Sequence, residues 1–399
     1  MLNTLFQTVN TQVNQFILRS EGNAVGRLSL YRILYAAFYL WMIARYDLPI
    51  LSSIPTGELD PLITLFFLDA QPAPEFYMAL QFILVFGLVM LLFGTYVRSS
   101  IIMIIASGTI IAMLRYSFGK IDHYDTFMVL YTPLVMLFYS GWGNNYSFDA
   151  IIKQRKGIKL LSPNESSWQY SWPIMIITVL LTILFIGAGV LKLLPDSNSW
   201  LWHTDIIRKL TIDFNKGLSP NPLTPFIVDN AWIYGPLRFG AVIFEAGFFL
   251  ALINNKWRSL FMATAVFFHL FNLILFGIPF VDMLIIYAIF VDWQKLYERF
   301  VPQMVKSGLK QFFYNIPTVG LIILSLSIAS LIALLWLDFD SPVRQFFHAV
   351  PYELAWIIAG IASLLAFSES AYLLTLDAIK YIKTWRQNSP TNSSMKKTA

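Results

Sequence analysis

The chain has 399 residues, 57% of them hydrophobic and 13% charged, with a mean hydropathy of +0.62, which excludes a soluble globular domain and a disordered chain alike. With no cysteine it can build no disulfide framework, thiol nucleophile or cysteine-based metal site. The net charge of +5 lies mostly in short segments between apolar runs, where the positive-inside rule expects it, so it reads as topology and implies no nucleic acid partner.

The N-terminal stretch MLNTLFQTVNTQVNQF lacks a basic start, a compact apolar core and a small-residue cleavage site, and reads as having no cleavable signal peptide. Ten segments then approach the roughly 20 apolar residues that a crossing needs. They lie near 28–45, 77–94, 99–118, 124–140, 173–194, 236–253, 257–277, 279–292, 316–336 and 354–373. The expectation is an all-α, polytopic integral membrane helical bundle of about ten transmembrane helices, with no large extramembrane domain. Both termini are expected in the cytoplasm, and the lipid bilayer is expected to be a bacterial inner membrane. By position, residues 1–27 form a cytoplasmic N-terminal segment, 28–295 the main transmembrane domain, 296–386 two additional helices and 387–399 a disordered tail. Gly277-Ile278-Pro279 reads as a tight turn between two helices, since Gly ends one and Pro starts the next. Two outer loops, 46–76 and 195–235, are long enough to suggest function, and the second is a candidate contact for a partner protein.

Depth orders the polar residues, because each helical residue advances about 1.5 Å. Lys192 lies about 28 Å along from Pro173, near the outer surface. An intramembrane lysine is a functional hypothesis by default, against the plainer reading that it snorkels to the headgroups. Asp122 and His123 open the fourth helix at the outer side, where Asp122 can act as an N-cap. Glu245 and His269 fall about 14 and 18 Å into their helices from opposite ends, hence at one depth, and are expected to pair. The alternative for them is a polar clasp without chemistry. Asn272 shares a helix face with His269, and Asp282, one turn into the eighth helix, faces the same outer vestibule. Arg32 is expected to snorkel at the inner side. No metal site is expected, because the four histidines lack ligand spacing.

Three stretches resemble one family. FIGAGVLKL (185–193), FEAGFFL (244–250) with FFHLFNLILFGIPFVDMLIIY (267–287), and DHYDTFMVLYTPLVMLFYSGWGNNYSFDA (122–150) are similar, in order and spacing, to segments of vitamin K-dependent γ-carboxylases and their prokaryotic HTTM (horizontally transferred transmembrane domain) relatives. The resemblance covers roughly residues 25–295. It implies a membrane lyase that uses a reduced vitamin K-type quinone (menaquinol), O2 and CO2. The hydroquinone, deprotonated by a lysine, reacts with O2 on the way to its epoxide and yields a strong base. That base removes a proton from an acceptor, and CO2 adds to the carbanion.

By the same resemblance Lys192, His123 and His269 take catalytic positions with Asn272 beside the quinone, while depth and helix position add Glu245, Asp282 and Asp122 as candidates to line the quinone or substrate site. The acceptor is not specified. Burial suits such a lysine, since a desolvated amine is more readily free to act as a base. Two other readings stay open: a transporter or small-molecule-binding membrane protein that uses the polar cluster as a binding site, and a membrane subunit whose partner does the chemistry.

Overall fold

The computed structural model describes residues 20–55, 71–118, 123–138, 140–194 and 224–388, with residues 11, 14, 58, 60, 212 and 216 singly. Among these the chain is helical throughout, with no strand. In chain order the helices are α1 (Ala24–Ile43), α2 (Pro74–Phe93), α3 (Val97–Tyr116), α4 (His123–Thr126), α5 (Thr132–Phe138), α6 (Phe148–Arg155), α7 (Trp168–Leu193) and α8 (Thr224–Asp229). They continue with α9 (Tyr234–Gly247), α10 (Asn255–Phe276), α11 (Val281–Ala288), α12 (Trp293–Phe300), α13 (Gln303–Asn315), α14 (Thr318–Leu337), α15 (Pro342–His348) and α16 (Tyr352–Asn388).

Seven of the described helices are long and apolar enough to cross a membrane: α2, α3, α7, α9 with its 3₁₀ extension to Leu252, α10, α14 and α16. The three other expected crossings are helical but altered. α1 carries Arg27 and Arg32, and α11 has only 8 residues. Between α4 and α5 runs a π-helical turn, Phe127–Tyr131. Pro133 accounts for it: proline lacks the N–H that the Val129 carbonyl would accept and its ring crowds that carbonyl, so a widened turn absorbs the mismatch.

The chain divides into two compact units that interleave in sequence, Met1–Ile177 with Val281–Tyr352, and Thr178–Phe280 with Glu353–Ala399. Of the expected tail 387–399, residues 387 and 388 continue the helix α16 and 389–399 lie outside the described residues, as do most of loop 195–235 and much of loop 46–76.

In the first unit, α2 packs on α1, α3 and α14. Along α1, Tyr31, Tyr35 and Tyr39 recur every four residues and are fully or almost fully buried, with successive ring centroids 6.4 and 6.0 Å apart. Tyr31 also meets Trp142 at 5.7 Å, and the Tyr35 hydroxyl donates to the Met128 carbonyl at 2.7 Å. That carbonyl lies in the π turn, so the ladder holds one of the backbone groups displaced there.

The α2–α3 turn is fixed by Gly94, at φ +66°, and by Asp149, whose carboxylate accepts from the Tyr96 and Val97 amides at 2.9 and 3.1 Å. Arg32 does not snorkel. It is fully buried, its Nη2 donates to the Tyr146 carbonyl at 2.7 Å, and its guanidinium occupies the place a Gly94 side chain would take. Asp149 supplies a compensating charge. The missing Cβ of Gly94 is what lets the guanidinium be held inside the fold, with no need to reach the headgroups.

In the second unit the centre is aromatic. Phe185 of α7 stacks on Phe248 at 4.2 Å, and Phe244, Phe261 and Phe268 close around them. This cluster sits two turns of α7 from Lys192, on the same helix face.

Candidate functional site

Lys192 and Glu245 form the polar heart of the second unit. The Lys192 ammonium donates to both carboxylate oxygens of Glu245, with Oε2 at 2.6 Å. Glu245 is 3% exposed and Lys192 22% exposed by side chain, so the carboxylate is enclosed while the amine reaches the edge of the unit. The sequence-based pairing of Glu245 with His269 is therefore corrected: Glu245 pairs with Lys192. Equal depth left the rotation of each helix about its axis undetermined, and close approach of α7 to α9 decided it.

That approach depends on one glycine. A Cβ built on Gly189 would lie 2.9 Å from the Ala246 amide nitrogen and 3.1 Å from the Glu245 Cβ. Lys192 follows three residues later on the same face, so the contact at Gly189 carries the amine onto the carboxylate. A Cβ on Gly187, in the same motif, would meet nothing within 4 Å. Gly189→Ala is accordingly expected to destabilise by about 1–3 kcal/mol through overpacking. Gly187→Ala should be neutral or stabilising by up to about 1 kcal/mol from helix propensity. Paired denaturation curves check this, and equal effects would remove the glycine contact as the determinant.

His269 is buried among rings, with centroids at 4.4 Å to Phe280, 5.5 Å to Phe268 and 6.0 Å to Phe185. It thus shares the aromatic cluster of the second unit with the helix that carries Lys192. Asn272 is half-buried, and its carbonyl takes part in the cap that ends α10 at Gly277, φ +65°. Gly277 ends α10 as expected, whereas α11 begins at Val281 and not at Pro279.

The remaining expected site residues belong to the first unit. His123 opens α4, while Asp122 lies outside the described residues. Asp282, in the first turn of α11, is 4% exposed and lines a cavity of about 30 Å³ with Tyr39, Tyr46, Arg115, Asp125 and Met128. Its walls are mainly apolar, Leu48, Leu84, Ile111 and Val129 among them, and the polar groups of Arg115, Asp125 and Asp282 with that volume suit about one or two water molecules. Asp125 accepts from Arg115 at 3.1 Å, and the guanidinium lies over the Tyr46 ring at 4.7 Å.

Sequence patterning alone assigned no role to Arg115 or Asp125. Their signal was present: Arg115 is the one charge in the last turn of an apolar helix, and Asp125 follows His123 by two residues. Among the described residues no group of three His, Asp or Glu is arranged to hold a metal. No family model matches the chain, and no curated protein or solved structure was found that matches it.

Proposed function

We propose that the chain is an integral membrane enzyme in which Lys192 takes a proton from a reduced naphthoquinone, a γ-carboxylase-like activity on an acceptor still to be identified. The observation that supports this best is the meeting of two motifs behind the resemblance: Lys192 of GAGVLKL is held by Glu245 of FEAG. With ten crossings, α1, the α4–α5 helix and α11 join the seven long apolar helices, and both termini are cytoplasmic.

The pair suits proton transfer. With the proton on nitrogen, the carboxylate compensates the ammonium. With the proton moved to Glu245, both groups are neutral, the desolvation of two ions is avoided, and the amine lone pair can act as a base. Glu245 is then the positioning residue that holds the proton Lys192 must shed.

The surrounding residues fit a flat aromatic diol: the rings of Phe185, Phe248 and Phe280 offer apolar faces, and one amine offers a proton acceptor. When bound, the quinol supplies the acidic hydroxyl and, with O2, the oxidative chemistry. The chain's part is to orient it, to accept its proton at Nζ and to exclude water with the phenylalanine cluster.

The test uses membranes containing the full chain, incubated with reduced menaquinone and O2. Epoxide formation is expected to fall by about 10²–10⁴-fold in Lys192→Ala, the usual range for loss of a general base. Equal rates in the two proteins would overturn the assignment. A solute carrier is the second reading, favoured by the ionisable cavity around Asp282; it would be supported by a solute flux that survives Lys192→Ala and is lost in Asp282→Asn.

A further inference from the structure

The inner part of the first unit carries a surface that the proposed chemistry does not use. α13, Gln303–Asn315, has no buried residue. Met304 is 82% exposed, Phe312 61%, Leu309 52% and Val305 42%. At 100° per residue, Met304, Val305, Gly308, Leu309 and Phe312 fall on one arc of the helix, while Lys306, Lys310, Gln303 and Ser307 occupy the opposite arc. Between the arcs Phe313 packs on Phe148, with centroids 5.2 Å apart, which fixes the rotation of the helix and leaves the apolar arc outward.

Two further features fix where this helix lies. It ends at Asn315, and the apolar helix α14 begins at Thr318, so its last turn is within a few ångströms of the membrane surface. Arg155 fastens that junction: its guanidinium donates to the carbonyls of Tyr314 and Ile316, the latter at 2.6 Å, and to Thr318 Oγ1 at 3.1 Å. The helix is thus held at the head of a crossing and cannot swing away.

The charge around it is positive. Lys295 and Arg299 on the neighbouring α12 are exposed, as is Lys310. Lys306 donates to the Glu298 carbonyl at 3.0 Å and lies over the Tyr297 ring. One acid on this surface, Glu298, has its carboxyl held below the usual carboxylate range, first by the hydrogen bond from Gln294, then by Asn164 and Lys306. It is therefore an engaged anion beside four cations.

We infer that α12 and α13 form an interfacial platform for anionic phospholipid, with the apolar arc of α13 set at the acyl boundary and Lys295, Arg299 and Lys310 against the headgroup phosphates. An outward apolar face flanked by basic side chains next to a crossing matches one occupant, the anionic cytoplasmic leaflet. Zwitterionic lipid lacks the net charge these cations would select. The inference rests on the membrane reading above but not on its chemistry, so a failed quinol assay leaves it standing.

Because the chain has no cysteine, Phe312→Cys gives a single thiol for an environment-sensitive fluorophore in the full-length protein. In detergent, short-chain phosphatidylglycerol is expected to shift the emission to the blue with saturation. Phosphatidylcholine and inorganic phosphate at equal concentration should not. Replacing Lys295, Arg299 and Lys310 by Gln should raise the half-saturating concentration by about tenfold or more, and high salt should act in the same direction. The same label at Met304→Cys, and the melting temperature of the unlabelled protein with each lipid, guard against a local effect of the dye. Equal responses to the two lipids, a response to inorganic phosphate alone, or an unchanged titration in the triple variant would overturn the proposal.

Discussion

Glu245→Ala is expected to destabilise the protein by about 3 kcal/mol or more, because it leaves the Lys192 ammonium uncompensated in a largely apolar unit. The double variant Lys192→Met/Glu245→Leu should recover most of that loss, since a buried ion pair is often replaced by apolar groups at little net cost. The informative comparison is with turnover. If the pair were only a clasp between α7 and α9, the double variant would regain both stability and quinol-dependent turnover. If Lys192 is the base, stability returns and turnover stays lost. Denaturation midpoints in detergent and epoxide formation in membranes, measured on the unsubstituted protein, Glu245→Ala and the double variant, separate these outcomes. Recovery of turnover in the double variant would exclude Lys192 as a proton acceptor.

The largest effect on folding is expected at Gly94→Ala. A Cβ there would lie 1.6 Å from Arg32 Nη1 and 2.3 Å from the Ser147 Cβ. A long side chain can often swing aside, but Arg32 is fully buried and tied to the Tyr146 carbonyl. Displacing it would strand a guanidinium inside the first unit, and alanine would also have to adopt φ +66°. A loss above about 4 kcal/mol is expected, enough to deplete folded protein. Gly157→Ala is the control: its φ is +75° but nothing lies within 4 Å of the added carbon, so only the left-handed strain of about 1–2 kcal/mol applies. The yield of monodisperse protein and its melting temperature check both. A Gly94→Ala protein as stable as Gly157→Ala would show that Arg32 can relocate.

Much of the helical order was legible in the sequence, because apolar runs of crossing length are a coarse signal that survives local irregularity. All ten expected segments are helical, although only seven have the length and hydropathy for a crossing. What was missed concerns breaks and rotations. Pro133 was visible, yet the π turn before it depends on how the chain absorbs a missing N–H. Counting from helix ends gave Glu245 and His269 a common depth, but depth says nothing about which face a residue takes. The partner of Glu245 was instead set by Gly189, a residue whose contribution is the side chain it lacks. Arg32 was misread for a related reason: snorkelling is the expected fate of a cation at a helix end when no interior site is available, and Gly94 creates that site. Tyr31, Tyr35 and Tyr39 were in plain sight at helical spacing, but the packing of Tyr31 against Trp142 required the 3₁₀ turn Ser140–Gly143 to be placed.

The interleaving of the two units sets a constraint on synthesis. The core segment of the second unit, Thr178–Phe280, leaves the ribosome before Val281–Tyr352, which the first unit needs for completion. At about 5–20 residues per second, the first unit waits roughly 5–20 seconds for α11, which brings Asp282 to the cavity, and roughly 8–30 seconds for α14, which covers α2. During that interval one face of α2 is without its final protein neighbour.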